Sequence, residues 1–63
     1  MTKVVVELPP AEAMALAQMV KRLRYDDAER LSSRYDGGAE RDLMLNDIDK
    51  LQRALAEAGF APR

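Results

Sequence analysis

The hydrophobic pattern has a period of two in the first part of the chain. Between residues 3 and 8 the side chains fall into an inner set of Val4, Val6 and Leu8 and an outer set of Lys3, Val5 and Glu7. Valine favours extended backbone because its branched Cβ restricts χ1. Pro9 and Pro10 then end the segment, since neither can donate to a ladder. The pattern predicts a β-strand over residues 3–8, with the inner set facing the core.

From residue 10 onward the apolar residues recur at helical spacing, and we predict a helix over residues 10–24. Pro10 suits the first turn, where its missing N–H is not needed. Basic side chains near residue 24 complement the negative end of the helix dipole. The predicted core stripe is Ala13, Leu16, Met19, Val20 and Leu23.

A break follows near Tyr25, because Asp26 and Glu29 have the spacing of a capping box. We predict a short second helix over residues 27–34, with Ala28, Leu31 and Tyr35 directed to the core. An uninterrupted helix from residue 10 to residue 35 is the alternative.

Gly37 and Gly38 predict a turn, and a third helix is expected over residues 39–58. Gly59 stands where a Schellman cap places its glycine, with Phe60 positioned to cover Leu55. Asp49 lies four residues before Arg53, the favourable order for a helical ion pair. The predicted seam of this helix is Met44, Ile48, Leu51, Leu55 and Ala58, widened by Leu43 and Leu45.

Composition limits both the stability and the chemistry of the chain. At 63 residues it is a single small domain (residues 1–63), whose core alone supports only marginal stability. It contains no Cys and no His, so disulfides and ordinary zinc sites are excluded and oligomerisation is the remaining stabiliser. Ser32 and Ser33 lie beside arginine rather than beside a plausible base. We predict no enzyme activity, no cofactor and no metal site.

Charge and hydropathy indicate a cytoplasmic protein. The net charge is −1, and acidic and basic residues are interspersed rather than gathered into a basic stripe. No apolar run approaches membrane-spanning length, and the first residues lack the pattern of a signal peptide. We expect no membrane association.

A single strand leaves backbone N–H and C=O groups unpaired along both edges. Three alternatives could pair with this strand: residues near Phe60 and Ala61, a second copy of the chain, or a different protein. We favour the second copy, which would pair through Val4, Val5, Val6 and Glu7. The predicted fold class is therefore mainly α with one N-terminal β-strand (β-α-α-α), assembled as a strand-paired homodimer.

The first half of the chain resembles the ribbon-helix-helix DNA-binding family, on the evidence of residues 3–9 and the helix that begins at Ala11. That resemblance implies a dimer whose paired strands enter the major groove. The outward residues depart from the family, because Glu7 would face phosphate and because Asp26 and Asp27 stand where the second helix would bind phosphate. A DNA-binding regulator is therefore the alternative function.

Both ends of the chain also resemble short proteobacterial proteins of phages and mobile elements. The resemblance rests on the Lys-Val-x-Val-Glu-Leu-Pro start at residue 3 and on the Ala-Leu-Ala-Glu-Ala-Gly-x-Ala-Pro-Arg end at residues 54–63. It implies an accessory protein that binds and occludes a host protein. The most specific version of this hypothesis is an anti-CRISPR-type inhibitor. We take this as the predicted function.

Two classes of side chain are candidates for contact with such a partner. Tyrosine gives large contact area at low entropic cost, although both tyrosines could instead pack at a hinge. Carboxylates could mimic nucleic-acid phosphate, although acidic first turns also occur in any well-capped helix. The candidates are Tyr25, Tyr35, Asp26, Asp27, Asp36, Glu40 and Asp42.

Overall fold

The computed structural model describes residues 1–33 and 35–60, and in that part of the chain the protein is mainly α-helical. Its helices are α1 (Pro10–Arg22), α2 (Tyr25–Leu31) and α3 (Ala39–Glu57). Helix α3 packs against both α1 and α2, whereas α1 and α2 do not pack against each other. The molecule measures 38 × 27 × 15 Å. No helix within the described residues has the length and apolarity needed to cross a bilayer.

The predicted N-terminal strand is wrong, and with it the β-α-α-α fold class. Residues 1–9 form neither helix nor strand and are exposed throughout, including Val4, Val5, Val6 and Glu7. A strand requires a second backbone to accept and donate its ladder hydrogen bonds. The described residues contain no such segment, and Ala61, part of the predicted within-chain partner, lies outside them.

The break between the first two helices is present, so the uninterrupted helix is excluded. Leu23 (ψ 128°) and Arg24 (φ −128°, ψ 178°) are extended. The carboxylate of Asp27 accepts a hydrogen bond from the Arg24 N–H at 3.0 Å, which satisfies a donor at the start of α2. The cap therefore uses Asp27, and the predicted capping box of Asp26 and Glu29 is wrong. Helix α2 ends at Leu31, and Arg34, the predicted end, lies outside the described residues.

Helix α3 ends in the predicted Schellman cap. The Phe60 N–H donates to the Leu55 carbonyl at 2.8 Å, and the Gly59 N–H donates to the Ala56 carbonyl at 3.0 Å. Gly59 has φ +93°, a conformation that favours glycine. Phe60 packs against the cluster that contains Leu55, so the hydrophobic contact of this motif is also formed.

The core is small and is dominated by short side chains. Val20, Ala17 and Leu55 form its centre between α1 and α3. The Gln52 side-chain amide donates to the Val20 carbonyl at 3.1 Å and links α3 to the last turns of α1. The buried hydrophobic residues of the described chain are Ala13, Ala17, Val20, Ala28 and Leu55.

Several residues predicted to be in the core are instead on the surface. Met19, Leu31 and Tyr35 are exposed, whereas Ala17, which was not predicted, is buried. In α1 the buried face is therefore centred on alanines, which allow α3 to approach closely. Met14 and Met19 of the same helix remain open to solvent, whereas Leu16 packs against the core cluster.

Candidate interaction surfaces

The first interaction surface is the N-terminal segment, defined as residues 1–9. Val4, Val5 and Val6 retain 78%, 74% and 66% of their accessible surface. No backbone hydrogen bond joins residues 1–8 to another part of the described chain. The Pro9 carbonyl accepts from the Ala13 N–H at 2.9 Å and is the point where the segment joins α1. The segment thus presents both apolar side chains and unpaired backbone groups.

The second surface is the Leu23 groove, a pair of shallow depressions that meet at the side chain of Leu23. One depression is lined by Ala15, Gln18, Met19, Arg22, Leu23 and Asp27. The other is lined by Leu23, Ala28, Leu31, Met44, Asp47 and Ile48. Because Leu23 lies in the break between α1 and α2, its side chain can contribute to both depressions. The groove therefore crosses all three helices, and its floor is apolar.

Three of the predicted partner-binding carboxylates bind backbone amides of the chain itself. Asp27 accepts from Arg24 N–H, as described, and from the Arg30 guanidinium at 3.2 Å. Asp36 accepts from the N–H groups of Gly38 at 3.1 Å and of Glu40 at 3.0 Å. The carboxylate of Glu40 accepts from the Ser33 N–H at 3.0 Å. These groups cap helices and fix the turn before α3, which reduces their availability to a partner.

Arg41 connects α2 to α3 and engages two further predicted residues. Its guanidinium carbon lies 4.8 Å from the centre of the Tyr25 ring, a cation–π geometry. Its Nε donates to Asp42 at 3.2 Å, and its Nη1 lies 3.7 Å from a carboxylate oxygen of Glu29. The hydrogen bond to Asp42 raises the pKa of the Arg41 guanidinium, a group that is charged at any physiological pH. Tyr25 and Asp42 are therefore brought together in one cluster on the α2–α3 side.

The remaining predicted residues are open to solvent. Tyr35 is 99% exposed in the turn before α3, where its N–H donates to the Ser33 hydroxyl at 3.3 Å. Asp26 is exposed in the first turn of α2. Sequence reasoning missed the Leu23 groove, because Met19, Leu23 and Leu31 have the helical spacing of core residues.

The hydroxyls of Ser32 and Ser33 are bound within the same turn. Ser32 Oγ donates to the Glu29 carbonyl at 3.0 Å, and Ser33 Oγ is the acceptor for Tyr35. Side chain–backbone bonds of this kind stabilise turns and helix ends. The serines therefore have a structural role at the end of α2.

Comparison with known proteins gives a family without a described activity. The model of a family of unknown function, DUF7706, matches residues 1–63. No curated protein matches the chain, and no solved structure matches it.

Proposed function

The chain belongs to the DUF7706 family, and we propose that it is a non-catalytic protein that binds a host protein and occludes part of its surface. The observation that carries this proposal is the N-terminal segment, where three consecutive valines are mostly exposed beside unpaired backbone groups. Exposed apolar side chains in a contiguous run are a common mark of protein-binding surfaces.

The energetics favour binding by this segment over solvent exposure. Burying a valine side chain stabilises a complex by about 1.5 kcal/mol or more. A partner backbone lying alongside would also satisfy the free N–H and C=O groups, as in peptides that add to a sheet edge. Pro9 and Pro10 restrict the backbone where the segment meets α1, which reduces the entropy lost on binding.

Occlusion of a host protein is supported by the resemblance of both ends of the chain to proteins of phages and mobile elements. A segment that covers a partner surface inhibits by steric exclusion and requires no catalytic group. The most specific version of this proposal is an inhibitor of the anti-CRISPR type.

An affinity pull-down from a lysate of the natural host, with quantitative mass spectrometry, tests the proposal. The bait is compared with the double variant Val4→Asp/Val6→Asp, which places charge on the exposed apolar segment. Ala11→Asp/Asn46→Asp is the matched control, because it adds the same charge at exposed helical positions. We expect one protein to be retained by wild type and control and lost with the valine variant.

Equal capture by all three baits, or capture of no protein, would contradict the proposal. When a retained protein is identified, its activity should fall as the wild-type chain is added. The same addition of the valine variant should leave that activity unchanged.

A DNA-binding regulator is the second candidate, and the order of extended segment, α1 and α2 favours it. The charge at α2 opposes it, because Asp27 already occupies the amide at the start of that helix and would repel a phosphate. Fluorescence anisotropy with duplex DNA separates the two candidates. A regulator would bind with an affinity that falls steeply with salt and weakens in Lys3→Ala.

A further inference from the structure

We propose that the Leu23 groove is the site of self-association, and that a second copy of this chain covers it in solution. This interface differs from the predicted strand ribbon, because it uses side chains of α1, α2 and α3 and no residue of the N-terminal segment. It is also independent of the proposed function, since it concerns the purified chain alone.

The accessible surface of the chain is larger than that of a compact monomer of its mass. A 7.1 kDa monomer is expected to expose about 4,100 Å², whereas this chain exposes 5445 Å². The excess is about 1,300 Å². A standard protein interface buries about 800 Å² on each partner. The excess is larger than one partner's share of a standard interface, and part of it lies in the exposed N-terminal segment.

The floor of the groove has the composition of an interface centre. Met19 and Leu31 are exposed there, with Leu23 between them. Methionine adapts its shape to a partner surface at low cost. One partner surface that covered both depressions would remove Met19, Leu23 and Leu31 from water together.

The charges at the rim of the groove are arranged for pairing with a second copy. Arg22 lines one depression, Asp47 lines the other, and Leu23 lines both. Neither forms an ion pair within the described residues. A two-fold axis near Leu23 exchanges the two depressions and places Arg22 against Asp47 of the partner subunit. The groove thus has an apolar floor and charges that can pair with those of a second copy. This charge complementarity favours a second copy over a foreign protein as the occupant.

Analytical ultracentrifugation of the full chain over a range of concentrations tests this assembly. We expect a species of twice the 7.1 kDa chain mass at high concentration. Met19→Lys should weaken association by about thirtyfold or more, because the added charge enters the interface twice. Met14→Lys is the matched control: the same side chain on the same helix, 41% exposed against 54% for Met19, but outside the groove.

A charge exchange tests the orientation of the two copies. Arg22→Asp and Asp47→Arg should each weaken the dimer several-fold, because like charges would then face each other. The double variant Arg22→Asp/Asp47→Arg restores opposite charges and should recover most of the wild-type affinity. Circular dichroism of each variant should match wild type, since both positions are exposed.

Three outcomes would overturn the inference. The first is a monomer at all concentrations, which would leave the groove to a foreign partner. The second is a dimer that responds equally to Met14→Lys and Met19→Lys. The third is a dimer that is abolished by Val4→Asp/Val6→Asp and unaffected by Met19→Lys, which would place association in the N-terminal segment. Failure of the pull-down described above would leave this result unchanged.

Discussion

At the scale of single residues, carboxylates bond backbone amides at the starts of α2 and α3. Asp36 bonds two amides at the start of α3, so Asp36→Ala should lower the free energy of unfolding by about 1 kcal/mol. Urea denaturation followed by circular dichroism measures this change. Asp26→Ala is the control, because Asp26 is exposed and its removal should change stability by less than about 0.5 kcal/mol. Equal losses in both variants would contradict the assigned cap.

The sequence predicts that a carboxylate caps α2, but the prediction selects the wrong carboxylate, and it does not predict the role of Asp36 at α3. Asp26 and Asp27 are adjacent, and α2 begins two residues earlier than predicted, so Asp27 rather than Asp26 reaches the free amide. Asp36 precedes α3 by three residues and reaches it because Gly37 and Gly38 have positive φ and fold the turn back. Such choices depend on backbone dihedral angles that side-chain type alone does not fix.

At the scale of helices, the contact between α1 and α3 depends on a few buried side chains. Val20 is fully buried between them, and Val20→Ala should lower the free energy of unfolding by about 2 kcal/mol through lost burial and the cavity left behind. Val5→Ala removes the same atoms from an exposed position and should have little effect. Thermal or urea unfolding of the two variants, at one protein concentration, gives the comparison. A stable Val20→Ala variant would show that α1 and α3 are held by other contacts.

The helices are predicted well from the sequence, whereas the strand is not, and the difference is physical. A helix closes its hydrogen bonds within its own segment, so local period and capping residues are sufficient to place it. A β-strand forms its hydrogen bonds with a second segment, so its own sequence is not sufficient to define it. The valines of residues 4–6 favour extended backbone, but they carry no information on what lies beside them. The local pattern therefore describes the segment and leaves its pairing undetermined.

At the scale of the whole molecule, the chain is less compact than its length predicts. Its radius of gyration is 12.9 Å, whereas about 10.6 Å is expected for 63 residues.

The proposed dimer also makes the stability depend on protein concentration. A dimer that unfolds to two separate chains is stabilised by mass action, so a tenfold rise in protein concentration should raise the melting temperature by about 5 °C. Differential scanning calorimetry over a hundredfold range of concentration measures this. Met19→Lys should remove the dependence, and a constant melting temperature in wild type would contradict self-association.

The Leu23 groove could not be predicted from the sequence because it arises from how the helices are placed. Leu23 has the spacing of a core residue on α1, yet it falls in the break between α1 and α2 and is only half-buried. Leu31 lies at the end of a helix that packs on α3 without touching α1, so no third helix covers it. The period of a helix identifies its apolar face, but the number of neighbours available to cover that face is a property of the complete fold.

The two prolines at residues 9 and 10 determine the direction in which the valines leave the helical body. Pro9 has φ −57° and ψ 153°, the polyproline II conformation, and Pro10 begins α1. Residues 2–8, when extended, span up to about 23 Å. Their contour length is thus comparable to the 27 Å middle dimension of the molecule. If this segment binds a partner as proposed, the contact would lie well outside the footprint of the helices, and those helices would then block the approach to a neighbouring site.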